Sequence, residues 1–240
     1  MTRIDDTDAA FHRFDESVFL VHTIENPWVH SLWRCCDEIR DALKQNQADP
    51  EVIQRYKNPL FRLRRIVTGL PHPFDSDVMR LSQISDELSQ LAEEDAAQPF
   101  ESQLLGASDA ALSLFHAADN PMSSKLREIV IDGSTIAIQD NFYRLRFQDW
   151  LAHEFPNLTT SVTTFKELTN RSHLTHLVYI GSPQFVAFRY RQDSDYRFAR
   201  DPISLRNEFV MYPFGDSTVK VEGLLSDRDP LRTITSTRPM

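Results

Sequence analysis

The chain has 240 residues, 41% of them hydrophobic and 25% charged, a balance that builds a packed core and excludes an intrinsically disordered chain. Its formal net charge is -9, and the excess lies entirely in front: residues 1–125 carry 12 Lys and Arg against 21 Asp and Glu, while residues 126–240 carry 14 of each. That distribution disfavours a uniformly basic nucleic-acid binder and leaves room only for a local basic stripe.

The first segment contains Asp5, Asp6, Asp8, Asp15 and Glu16, the opposite of the basic and then apolar order of a secretory signal. No run approaches the roughly 20 apolar residues of a membrane span. The two cysteines, Cys35 and Cys36, are adjacent and do not bridge in a disulfide framework. A cytoplasmic protein with no membrane contact is the expectation.

Asn26-Pro27 reads as a helix start, Asn26 capping and Pro27 preset for the first helical position, with Val29, Leu32, Trp33, Cys36, Ile39 and Leu43 at helical spacing. Cys36 is assigned to the core. Asp49-Pro50 repeats the same grammar ahead of Val52, Ile53, Tyr56, Leu60, Leu63 and Val67, and Pro59 inside that stripe is expected to kink or split the helix. After Pro71-His72-Pro73, Asp75 is the expected cap of a third helix through Val78, Leu81, Ile84, Leu88 and Leu91. Residues 93–99 read as a surface turn, and a shorter fourth helix is expected from Ser108. Four helices on short connections predict a bundle over 1–122.

The pattern changes at Asn120-Pro121. Ile129–Ile131 and Ser134–Ile138 are β-branched runs that could pair as a hairpin across Asp132-Gly133. A helix is expected over 141–155 with Leu145, Trp150 and Leu151 inward, then a β segment at Thr159–Thr163, then a short helix marked by Thr164 and Glu167 at capping-box spacing. Leu174–Ile180 and Asn207–Tyr212 are the clearest strands. Strands alternating with helices predict a small Rossmann-like, mainly parallel sheet with flanking helices over 123–222, followed by a weakly structured tail at 223–240.

Six glycines, at 69, 106, 133, 181, 215 and 223, supply neither a dinucleotide fingerprint nor a phosphate loop. His153-Glu154 begins like a zinc-protease helix but meets Asn157 where the second histidine belongs. His173 and His176 sit three apart in what reads as a strand, on opposite faces. No metal site and no cofactor is therefore expected, and no catalytic residue is assigned.

Three groups remain. The carboxyl ends of the strands would gather Asp140 and Asn141, Thr164, Ser182 and Gln184, and Asp216 into a polar crevice for a phosphorylated or nucleotide-like ligand, although capping explains several of them without a ligand. Arg55, Lys57, Arg62 and Arg65 form a basic helical face suited to an acidic protein partner or to nucleic acid. Arg189, Arg191, Arg197 and Arg200 interleave with aromatic residues in a tract that would suit single-stranded nucleic acid. Sheets of this kind without nucleotide loops resemble, at the level of fold alone, the degenerate α/β domains of multi-subunit bacterial assemblies, including helicase-containing defence complexes. The expected role is an accessory or interaction subunit, non-catalytic, with a protein partner or a second copy of the chain and with nucleic acid as a further contact. The alternative is an enzyme acting on a nucleotide or phosphate ester through Asp140 or Asp216.

Overall fold

The computed structural model describes residues 18–45, 50–138, 141–168, 174–181, 204–212 and 232–234. The chain divides into two units, a helical one over Glu25–Ser123 and a sheet-bearing one that combines Met1–Ile24 with Ser124–Met240.

In the helical unit, α1 (Pro27–Gln45) starts as its sequence dictates: the Asn26 side-chain oxygen accepts from the amides of Trp28 at 3.0 Å and Val29 at 3.1 Å. Two otherwise unpartnered first-turn donors are thereby satisfied. Its buried stripe is Val29, Leu32, Trp33, Ile39 and Leu43, and the cysteine that joins it is Cys35 rather than the expected Cys36, which is half-buried. Helix α2 (Pro50–Gly69) runs unbroken through Pro59. The proline removes one internal donor, while Tyr56, Leu60, Leu63 and Val67 keep a continuous buried stripe across it.

The third helix begins later than expected. Asp75 is exposed and caps nothing among the described residues; the chain instead passes through turns that bury Phe74 and Met79 completely, and α3 spans Leu81–Ala92. Arg80 precedes it at φ 52°, a left-handed conformation with no side-chain cap. A 3-10 turn over Asp95–Phe100 replaces the expected surface loop and buries Ala97 and Phe100, the latter edge-on to Tyr56 at 4.9 Å.

Helix α4 (Glu101–Ala117) is longer than the segment expected from Ser108. Ser108 lies buried within it and shares hydrogen bonds with Ser85 at 2.7 Å and Ser89 at 2.8 Å on α3. One turn earlier, Gly106 lets α1 come close: a Cβ there would stand 3.0 Å from the Cys35 sulfur. Asn120 closes the unit, donating to the carbonyls of Leu70 at 2.9 Å and His72 at 2.8 Å while accepting from the Met122 amide at 3.0 Å.

In the other unit, the expected strand at Ile129–Ile131 is not formed: Pro121–Ile129 is helix α5 and leads into β2 (Ser134–Ile138). Asp132-Gly133 is the turn between them rather than a hairpin tip. Gly133 takes φ 78° and donates to the Thr159 carbonyl at 2.8 Å, and the Asp132 carboxylate accepts from the Thr159 amide at 2.7 Å. A short 3-10 turn at Asn141–Tyr143 opens α6 (Arg144–Glu154), whose inward residues are Phe147, Trp150 and Leu151. Leu145, expected inward, is 73% exposed because the stripe set by Tyr143, Phe147, Trp150 and Leu151 leaves it on the other side of the helix.

The sheet continues with β3 (Ser161–Thr164), the single turn α7 (Phe165–Leu168), β4 (Leu174–Ile180) and β5 (Ser204–Met211). It also takes in β1 (Val18–Thr23) and β6 (Arg232–Ile234), segments that the sequence placed with the helical bundle and with the tail. Six strands pair in the order β3-β2-β4-β5-β1-β6, every pair parallel. The mainly parallel, Rossmann-like expectation holds, and the sheet is wider than residues 123–222 alone would make it.

Strand alternation gives the sheet two unlike faces. One is apolar, with Val21, Ala137, Leu177, Tyr179, Phe209 and Met211 packed under Phe165 and Leu168, and with Tyr179 stacked on Phe209 at 4.4 Å. The other carries Ser134, His176, Arg206, Glu208 and His22.

Candidate functional site

The register explains why those five side chains meet. Ser134 pairs with His176 and His176 with Arg206, so three neighbouring strands present one row; Glu208, two residues along β5, shares the Arg206 face, and His22 lies two residues beyond its β1 partner Leu20. Glu208 has no exposure and is gripped from both sides. His22 Nε2 stands 2.5 Å from Oε2, His176 Nε2 stands 3.0 Å from Oε1, and Arg206 Nε stands 2.5 Å from Oε1.

Burial opposes a charge on Glu208, but the hydrogen bonds from His176 and His22 together with the Arg206 guanidinium outweigh it and hold the carboxyl well below the usual carboxylate range. A carboxylate has no proton to give, so both imidazoles must donate through Nε2. That choice makes each Nδ1 an acceptor. For His176 the donor is present: Ser134 Oγ lies 2.8 Å from Nδ1 and itself accepts from the Ile131 amide at 2.9 Å. For His22, Nδ1 is buried and has no partner among the described residues. A charged group in the middle of a sheet, oriented by two tautomer-fixed imidazoles, is the kind of arrangement that accompanies ligand binding or proton transfer.

Sequence reasoning met only part of this array. The pairing of His173 with His176 was rejected on strand geometry; His176 does lie in a strand, and His173 lies outside the described residues. The usable signal was alternation: Arg206 and Glu208 put two charges on one face of an otherwise apolar strand, and His22 interrupts the apolar run of β1.

At the strand ends, Asp140, Ser182, Gln184 and Asp216 lie outside the described residues. Asn141 is exposed at the start of the 3-10 turn. Thr164 is buried and forms the reciprocal capping box: its amide donates to Glu167 Oε2 at 3.1 Å and the Glu167 amide donates to its Oγ1 at 3.3 Å. The Thr164 amide, then the Thr163 hydroxyl and Arg144, lower the Glu167 pKa.

On α2, Arg55 pairs with Glu94 and Arg62 with Glu87, so both guanidinium groups reach carboxylates at and beyond the end of α3. These pairs are solvent-exposed and each is worth about 0.2–1 kcal/mol. Arg65 is exposed. Lys57 is half-buried at the edge of a cavity of ≈ 40 Å³ whose walls include Cys36, Ile39, Arg40, Leu60, Phe61 and Arg64. Phe61 is 51% exposed, and the Arg64 guanidinium rests over the Trp33 ring at 3.5 Å. Arg189, Arg191, Arg197 and Arg200 lie outside the described residues.

Among the described residues no group of three or more His, Cys, Asp and Glu side chains is arranged to hold a metal ion, and no helix is long and apolar enough to cross a membrane. Comparison with protein-family models, with curated proteins and with solved structures finds no match in any of the three.

Proposed function

We propose that this chain is an interaction subunit whose helical unit docks an acidic, apolar-anchored segment of a protein partner in the groove between α1 and α2. The observation that carries the reading is Phe61, half exposed beside Lys57 over a cavity floored by Ile39 and Leu60. Small-molecule sites enclose roughly 300–1,000 Å³, whereas ≈ 40 Å³ suits the tip of one side chain. Aromatic and arginine groups around such a cleft are the usual anchors of protein interfaces. The engagement of Arg55 and Arg62 with Glu94 and Glu87 favours a protein partner over a phosphate backbone, because the two charges best spaced to follow phosphates already have carboxylates. Two free thiols, Cys35 and Cys36, fit a reducing, cytoplasmic setting.

A photo-crosslinking amino acid at position 61, introduced in the native host with the exposed Ser102 position as control, should capture one protein at 61 and not at 102. A synthetic acidic segment of that protein should then bind the purified chain and lose about 30-fold or more in affinity to Phe61→Asp or Lys57→Glu, the scale of an interface hot spot. No adduct above the control, or binding unchanged in both variants, sinks the reading; a self-adduct would replace it with a homo-oligomer. A second reading, ligand binding and chemistry in the sheet, has the Glu208 array behind it.

A further inference from the structure

The two imidazoles on Glu208 are built alike and finished differently. Both donate through Nε2 to the same carboxylate, at 2.5 Å for His22 and 3.0 Å for His176. His176 is completed by a protein donor, Ser134 Oγ at 2.8 Å. His22 is 93% buried, since its side chain is 7% exposed, and its Nδ1 lone pair is met by nothing among the described residues. A buried acceptor left in that condition costs about 1–3 kcal/mol, and Nδ1, across the ring from Nε2, is turned away from Glu208.

The position adds to the case. His22 is one residue short of the carboxyl end of β1 and pairs with Val210, which also pairs with Ile180, so the ends of β1, β5 and β4 lie level. Just past that row, Gly181 takes φ 117° and donates to the Val210 carbonyl at 2.9 Å. In the strand order, β5 is followed in sequence by β6 on one side and β1 by β2 on the other. Such a reversal between neighbouring parallel strands is where ligands enter sheets of this class, at the carboxyl ends.

We infer that His22 Nδ1 is the acceptor of a binding site at the carboxyl ends of β1 and β5 for a neutral, hydroxyl-bearing ligand, such as a polyol or the ribose of a nucleoside. The chemistry selects the class. A neutral imidazole with a free lone pair needs a donor, and the Glu208 carboxylate behind it repels an anion, so phosphate and carboxylate groups are poor occupants. The hydroxyl donates to Nδ1, and no covalent step is involved.

The test is nitrogen-15 imidazole spectroscopy of the full-length protein, titrated separately with ribose, adenosine, inorganic phosphate and acetate. His22 and His176 should both show the Nε2-protonated tautomer. Ribose or adenosine should move the His22 Nδ1 resonance saturably, leave His176 Nδ1 in place and raise the melting temperature. His22→Phe should weaken that binding about tenfold or more, while His22→Gln, which keeps a donor toward Glu208 and an acceptor away from it, should retain most of it. Three results overturn the inference: a Nδ1-protonated His22, a resonance unmoved by ribose and adenosine, or one moved equally by phosphate and acetate. The tautomer and titration readings come from the unaltered protein, so they stand even where a variant fails to fold.

Discussion

Glu208→Gln replaces one oxygen of the buried carboxylate with an amide and leaves the volume nearly unchanged, which makes it the sharpest probe of the sheet. In the native protein the carboxylate accepts from His22, His176 and Arg206. Hydrogen bonds to a charged group contribute about 1.5–3 kcal/mol each, and the Arg206 contribution must be discounted because that side chain is 49% exposed. Glutamine keeps one acceptor and turns two donors toward an imidazole Nε2–H or the guanidinium, so a loss of about 3–5 kcal/mol is expected, as for removing one partner of a buried charge network.

The pH dependence has a definite sign. Because the folded-state pKa of Glu208 is depressed, its stabilising contribution is fully present above the unfolded carboxylate value of about 4.3 and fades as pH falls below it. The variant has no carboxylate to titrate, so the gap between the two proteins should narrow steadily below about pH 4. Hydrogen exchange of β4 and β5 amides, with urea melts at neutral and acid pH, measures the sheet unit directly. A loss under about 1 kcal/mol at neutral pH, or a gap that persists unchanged into acid, would refute the ionised, triply bonded carboxylate.

Two further outcomes test the helical unit. Gly106→Ala gains helix propensity of about 1 kcal/mol but sets a methyl against the Cys35 sulfur at 3.0 Å; thermal melts should show it neutral or destabilising alone and stabilising by about 0.5–1 kcal/mol in a Cys35→Ala background, and additivity of the two changes would contradict the close approach. Burial pushes the Cys36 thiol up to about 12, so at pH 8 its alkylation by iodoacetamide should run on the order of 1000-fold slower in the native protein than in denaturant, since the thiolate is the reactive form. Equal rates in both would contradict that environment.

The local grammar was legible. Asn26-Pro27 and the Thr164 to Glu167 box appear as read, because caps act over three or four residues and need no distant partner. The start of α3 was not legible from Asp75, since the helix begins on a left-handed arginine without a side-chain cap, after a turn region held by burial of Phe74 and Met79. Ile129–Ile131 looked like strand because β-branched residues also serve a helix end packed against a core. Leu145 looked buried because periodicity alone does not say which of two phases faces inward. The polar array was harder still: His22 and Glu208 are 186 positions apart, and only the parallel register of β1 and β5 brings them together.

That register sets a timetable. β1 is made first, yet its hydrogen-bonded neighbours β5 and β6 follow only after the helical unit and three other strands have been synthesised. At a usual rate of 5–20 residues per second, the roughly 180 residues between β1 and β5 keep that ribbon waiting about 10 to 40 seconds on the ribosome. During the delay its apolar Leu20 and Val21, flanked by unpaired backbone, offer a template to any passing chain. Newly made protein is thus most prone to aggregate before β5 emerges, and a chaperone that recognises short apolar β segments would have its natural target there.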